Sequence, residues 1–279
     1  MSNIILGSAT QQNLLSLQQI NSNLGITQNH LATGLAVASA LDDAVKFFQA
    51  QSLDQRAGDL ALRKDAIDQG ISTLTAAANA SQSAVTILEQ LQGILNSAKT
   101  ETATQRAAAG KQFITLSLQL NNLLNDASYQ GLDLVNSSST SLTLQFSNST
   151  SSKLTVKGQN LLYSVIVGTK ASHILSGAFS GISNHTSAFD TAFQTLQTAI
   201  GKVQAAAQSI GGNVSFLQTR LDFTSQYIVT LKGGSSKLTV ADVNLESTNL
   251  ITLQTRQSLA IQSLSIATQS EQAVLRLFR

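Results

Sequence analysis

Few residues in this chain stand where they could do chemistry together. His30, His173 and His185 are far apart and have no Asp or Glu at the spacing of a ligand set, so they read as solvated or incidentally packed side chains. Asp42 and Asp43 could form an acid pair, but ahead of a helix an acidic side chain serves better as a cap for free amides. Gly233-Gly234-Ser235-Ser236-Lys237 lacks the Gly-Lys-Ser/Thr order of a phosphate-binding loop. There is no cysteine, hence no disulfide, thiolate metal site or thiol nucleophile. No Ser, His and Asp set occupies a nucleophile motif. The residue types point away from an enzyme, and they give no catalytic, cofactor-binding or metal-binding residue.

What stands out instead is where charge is missing. From Met1 through Leu41 there is no Asp, Glu, Lys or Arg, and from Ser247 to Ser270 the only one is Arg256. A surface helix of a soluble monomer keeps charges on its water face. These ends are too polar to span a membrane, because Gln11, Gln12, Asn13, Gln18, Gln19, Asn21 and Asn23 interrupt any apolar run. An amphipathic but uncharged helix suits burial against copies of itself. Assembly is the function these ends predict.

Composition agrees. Charged residues are 11% of the chain, against roughly 25% in an average soluble protein. Proline, which breaks helix interiors, is absent from all 279 residues. The net charge of +2 is spread along the chain without the dense Lys/Arg stripe of a nucleic-acid binder. No basic segment precedes an N-terminal apolar run, so no Sec-type signal peptide is visible.

The elements follow from periodicity. Phe189, Leu196, Val203, Ile210 and Leu217 recur every seven residues, with Phe193, Ile200, Ala207, Val214, Leu221 and Ile228 as the second series; Thr224 breaks the pattern. The spacing predicts one helix over 189–228, about 60 Å long at roughly 1.5 Å per residue. Gly211 and Gly212 would weaken it by about 2 kcal/mol, a soft spot within one rod. A second rod covers 44–99, with Leu60, Ile67, Leu74, Leu88 and Leu95 in one position and Ser81 as the exception. A third helix is predicted at 103–128 and terminal helices at each end, the last over 242–277. Gly233-Gly234 is the predicted stop of the long helix and the best hinge. Between 131 and 175 the period switches to two: Leu142, Leu144 and Phe146, then Leu154 and Val156, predict a small β-hairpin around Ser147–Ser152.

The predicted fold is therefore mainly α: a long antiparallel helical rod with a small β-hairpin insert and its terminal helices paired at one end. The predicted division is 1–43 plus 235–279 as a terminal-helix core, 44–130 plus 176–234 as the rod, and 131–175 as a β-rich polar insert.

Two stretches resemble bacterial flagellin. In LATGLAVASALDDAVKFFQA, Leu31, Gly34, Leu35, Ser39, Ala40, Asp42, Asp43 and Ala44 match the family's Leu-x-x-Gly-Leu turn and Ser-Ala-x-Asp-Asp-Ala segment. The segment from Ala241 to Arg279 is similar to the family's Gln-rich C-terminal helix, closing on Leu275, Leu277 and Phe278. The short middle and the Leu-Phe-Arg ending look most like the short alphaproteobacterial type without large outer domains.

The resemblance implies a structural subunit that polymerises into the extracellular flagellar filament for swimming. It implies type III export without a cleaved signal peptide, and as partners other copies of itself, an export chaperone, the filament cap and hook-junction proteins. No cofactor, nucleic acid or membrane insertion is implied. Terminal helices would form inner tubes and the rod an outer tube. The assembly interface is expected at Leu14, Leu17, Leu24, Leu31 and Leu35 of the first helix and at Leu250, Leu253, Leu264, Val274, Leu277 and Phe278 of the last. Ser138, Ser139, Thr140, Ser149 and Thr150 are candidate O-glycan acceptors. The family's innate-receptor segment, Leu-Gln-Arg-x-Arg-Glu-Leu, corresponds here to Leu91–Ser97 with both arginines gone, which implies weak recognition. Alternatives are the hook–filament junction protein and a flagellin-like surface protein that holds anionic polysaccharide through Lys153, Lys157 and Lys170.

Overall fold

The structure is a computed structural model that describes residues 8–168, 179 and 185–277. Its elements are α1 (Ser8–Thr33), α2 (Ala44–Ala98), α3 (Ala103–Asp126), β1 (Ser128–Tyr129), β2 (Leu132–Asp133), β3 (Ser141–Gln145), β4 (Lys153–Lys157), α4 (Tyr163–Ile166), α5 (His185–Thr239) and α6 (Val243–Leu277). The chain divides into two compact units, Met1–Ala57 with Val229–Arg279, and Gly58–Ile228.

The larger unit is a bundle of long helices carrying a hairpin. Ile67, Leu74, Leu88, Leu91 and Leu95 of α2 are fully buried, as are Leu120 and Leu124 of α3 and Phe189, Leu196, Val203 and Leu217 of α5. Burying a side chain of this size contributes about 1.5–3 kcal/mol, so the heptad seams hold the unit together. The two polar interruptions of those seams are also buried, and each is satisfied within its own helix. Ser81 Oγ donates to the Ala77 carbonyl at 2.8 Å, and Thr224 Oγ1 to the Arg220 carbonyl at 2.8 Å. A hydroxyl bonded to its own preceding turn removes the unsatisfied-donor penalty, which is why the apolar run survives it.

Antiparallel packing of α2 on α5 is marked at one end by the Lys99–Asp190 ion pair, 2.5 Å, and by Gln92 donating to Gln197 Oε1 at 3.2 Å. The Thr102–Gln105 capping box starts α3. The β1–β2 turn has Gln130 and Gly131 both at positive φ, the geometry that suits a tight hairpin. In the β3–β4 hairpin Leu142 faces Val156 and Leu144 faces Leu154, while Thr143 and Thr155 share a hydrogen bond on the other side. Alternation thus puts Leu144 and Val156 into the core and leaves the threonines in water.

In the smaller unit α1 and α6 pack along each other. Gly34, at φ +71, ends α1 in a left-handed turn, with its N–H donating to the His30 carbonyl at 2.8 Å. Leu35 therefore lies outside α1, in an isolated antiparallel bridge with Val240. The N–H groups of Ala36 and Ala241 complete the tie, donating to Thr239 and Gly34 carbonyls. Asp43 caps α2, accepting from the Lys46 N–H at 3.0 Å, and Asp242 caps α6 through the Asn244 and Leu245 N–H groups. Asp42 instead ties the turn before α2, accepting from the Ala38 and Ser39 N–H groups and the Ser39 hydroxyl.

Gly233-Gly234 does not stop the long helix. α5 continues through both to Thr239. Two helical glycines weaken a helix by about 2 kcal/mol, and tertiary packing outweighs that here. A Cβ on Gly234 would lie 3.4 Å from Leu53, and Ser235 donates to Asp54 at 2.8 Å. The break falls at Val240–Asp242. Gly211 and Gly212 are helical as well.

Candidate assembly surface

The side of α1 that faces α6 is a half-buried stripe through Leu17, Leu24 and Leu31; its counterpart on α6 runs through Leu250, Leu253 and Leu264. These six expected interface leucines are thus brought together within one chain. Leu14 is exposed, and Leu35 sits half-buried in the bridge beyond α1. Phe278, His173 and Lys170 lie outside the described residues, and so do the side chains of Val274, Leu277 and His185.

Two polar rungs set the register of the helix pair. Gln257 Nε2 donates to Asn21 Oδ1 at 2.7 Å. His30 Nδ1 and Glu246 Oε1 stand 2.9 Å apart, with side chains only 19% and 14% exposed. His30 is at the C-terminal end of α1 and Glu246 in the first turn of α6, so both helix dipoles favour the charges of the pair. Ile26, 51% exposed, lines a groove with Glu246 and Arg256 of α6, whereas Leu15, 65% exposed, stands on the opposite, outward face of α1. On α6, Ile251, Leu259 and Ile266 do the same, between 57% and 65% exposed. Around them stand Gln11, Gln18, Ser22 and Asn29 on α1, and Thr248, Thr252, Thr255 and Gln262 on α6, with Arg256, one turn before Leu259, as the charge beside them. Thr248, Thr252 and Thr255 donate their hydroxyls to their own preceding helical turns, which lowers their demand for water.

Heptad reasoning missed Leu15, Ile26, Ile251, Leu259 and Ile266. A heptad selects the seam that a helix closes with its partner in the same chain. Apolar residues off that seam, on helices with few charges, were the available signal for this second apolar face.

The polar turns are built differently from each other. Ser138, Ser139, Ser149 and Thr150 are exposed, whereas the Thr140 hydroxyl donates to the Asp133 and Ser137 carbonyls. Lys153 and Lys157 are exposed at the two ends of β4. Among the described residues, no group of three His, Cys, Asp or Glu side chains could hold a metal ion.

Fold and surface together define a class of protein: a self-assembling helical subunit whose N- and C-terminal helices pair and leave sparsely charged, apolar-studded faces uncovered. The family models for the bacterial flagellin N-terminal helical region and C-terminal helical region match residues 5–140 and 193–278. A flagellin of Brucella melitensis is 28% identical over 287 residues, with all of both chains covered. Flagellin FljK of Caulobacter vibrioides is 30% identical over 268 residues, 95% of this chain and 94% of that protein. Among solved structures, a chain assigned as a flagellar hook-associated protein of Vibrio parahaemolyticus superposes with a TM-score of 0.61 over 71% of this chain and 100% of its own; at 13% identity the likeness is one of fold. The chain belongs to the bacterial flagellin family, a family of structural proteins, and its function is that of a filament subunit. Its length and its lack of large outer domains match the alphaproteobacterial relatives.

Proposed function

We propose that copies of this chain polymerise through the outward faces of α1 and α6, with each α1–α6 pair acting as one unit of the inner wall of the filament. The observation that supports this most directly is the sparsely charged outward face itself. Leu15, Ile26, Ile251, Leu259 and Ile266, partly exposed in one copy, would each gain about 1–2 kcal/mol on full burial, and Arg256 is the ionic group beside them that assembly has to accommodate. A contact of this kind joins one face of a copy to a different face of the next, and repeats without closing into a helical polymer. In this reading the half-buried leucines Leu17, Leu24, Leu31, Leu250, Leu253 and Leu264 serve assembly by holding the pair, and Leu14 joins the outer contact. Val274, Leu277 and Phe278, expected at the interface from the sequence, are proposed to contribute to assembly as well. Residues 44–130 and 176–234 form the outer wall, and 131–175 faces water.

Substitution separates the two roles. Ile251→Lys and Ile266→Lys are expected to keep the helicity and thermal unfolding of the monomer while stopping elongation from filament seeds. Leu253→Lys, within the intrachain seam, is expected to lose helicity first. Normal filaments from Ile266→Lys and Ile251→Lys would sink the proposal.

Export without a cleaved signal, with a chaperone and a cap, goes with the same function. The exposed hydroxyls of Ser138, Ser139, Ser149 and Thr150 are the proposed glycan acceptors, and an unmodified intact mass from native filaments would dismiss them.

A further inference from the structure

The turn of the β3–β4 hairpin holds an asparagine whose surroundings allow it to react with its own backbone. Asn148 is exposed and is followed by Ser149, with Thr150 and Ser151 also in water. A small residue after asparagine leaves the next backbone nitrogen free to approach the side-chain Cγ. The chain has four Asn–Ser steps and no Asn–Gly step. Asn21–Ser22 and Asn96–Ser97 lie inside α1 and α2, where the helical ladder holds each serine N–H. Asn136 is half-buried; it donates Nδ2 to Asn125 Oδ1 at 3.3 Å and its own N–H to Asp133 Oδ1 at 3.0 Å. At Asn148 the backbone belongs to neither a helix nor a strand. The Ser149 N–H donates to the Ser147 hydroxyl at 3.2 Å, a contact that rotation of one side chain releases.

What restrains Asn148 is α2. Its Nδ2 donates to Asp59 Oδ2 at 2.8 Å, so the amide is held against the helix while the hairpin is seated. We propose that Asn148 is a site of spontaneous deamidation, gated by its hydrogen bond to Asp59, and that the reaction unseats the hairpin turn. When the turn lifts, the Ser149 nitrogen gives its proton to hydroxide and attacks Asn148 Cγ. The new N–Cγ bond closes a five-membered imide, the Cγ–Nδ2 bond breaks, and ammonia leaves. Water then opens the ring: cleavage at Cγ gives aspartate, and cleavage at the backbone carbonyl gives isoaspartate. Either product carries a carboxylate where the donor stood, facing the Asp59 carboxylate. Like charges at that distance repel, so the turn does not seat again. The reaction needs one chain only and stands apart from the polymerisation reading.

The test is peptide mapping of the purified full chain held in mildly alkaline buffer made with heavy-oxygen water. The Asn148 peptide is expected to convert to aspartyl and isoaspartyl forms, each carrying a heavy oxygen, several-fold faster than the peptides of Asn21, Asn96 and Asn136. Asp59→Ala, which frees the amide, is expected to speed Asn148 several-fold further and to leave Asn136 unchanged. Equal rates at Asn136 and Asn148 would overturn the site, and an unchanged Asn148 rate in Asp59→Ala would overturn the gate. Thermal unfolding reads the consequence. N148D is expected to lower the midpoint, and D59N/N148D, which puts the donor on α2 and the carboxylate on the turn, to recover most of the loss. A midpoint unmoved by N148D, or a swap no better than N148D alone, would overturn the unseating.

Discussion

Gly70 of α2 has no side chain at the point where Leu144 of the β3–β4 hairpin lies against the helix, and a Cβ there would collide with the Leu144 methyls. The hairpin owes its seat to this missing atom and to a hydrogen bond to α2, Asn148 donating to Asp59 at 2.8 Å; the β1–β2 turn is tied to the same helix by Gln130 donating to Gln69 at 2.7 Å. Leu144 is itself buried, so it can give way only by disturbing the core around it.

Gly70→Ala is accordingly expected to destabilise the Gly58–Ile228 unit by about 1–3 kcal/mol, the usual range for overpacking. Denaturant unfolding measures it. Adding Leu144→Ala should make the double variant less destabilised than the sum of the two singles, because the second change removes the clash. Simple additivity would mean that the close approach does not constrain the hairpin.

The start of α3 offers a smaller and local effect. Thr102 Oγ1 accepts from the Gln105 N–H, and the Thr102 N–H donates to Gln105 Oε1 at 3.0 Å. Thr102→Ala is expected to cost about 1 kcal/mol in thermal or denaturant unfolding, and Thr102→Ser much less.

Asp42 gives a pH dependence of defined sign. Hydrogen bonds from the Ser39 N–H and hydroxyl lower its pKa below the ordinary 3.8. A carboxyl that titrates lower when folded stabilises the fold fully above about pH 4, and the effect disappears as pH falls through the lowered value. Asp42→Asn should therefore lower the stability of the turn at neutral pH, flatten the acid side of its profile and converge with the wild type at low pH. Direct titration by NMR should place the native carboxyl below 3.8, and a value at or above it would contradict the turn geometry.

The segment from Leu91 to Ser97 should activate a flagellin-responsive reporter cell weakly. Leu91 and Leu95 are fully buried, and what the stretch shows to water is Gly93, Asn96 and Ser97, all uncharged. A potent response to the purified monomer would show that recognition uses other residues.

Much of this architecture was legible in the chain. The α2 and α3 starts, the β3–β4 hairpin and the terminal helices follow from period and composition, because burial along one face of a helix or strand imposes its repeat on the residues. The missing charges of the two ends likewise announced assembly, since ionic groups cost far more to enclose than amides that find hydrogen-bond partners. Gly233-Gly234 shows where local rules stop: glycine ends a helix only if nothing else holds it, and the contacts with Leu53 and Asp54 are remote in sequence.

The division of the terminal helices into an inner seam and an outer face needed the tertiary structure. Leu253 and Ile251 are two residues apart and alike in chemistry, yet one lies half-buried on the α1 side and the other in water. Sequence determined that α6 is amphipathic and that Arg256 is the one charge between Ser247 and Ser270. Only the packing of α6 on α1, with its His30–Glu246 and Asn21–Gln257 rungs, decided which apolar stripe is already used and which remains for another molecule.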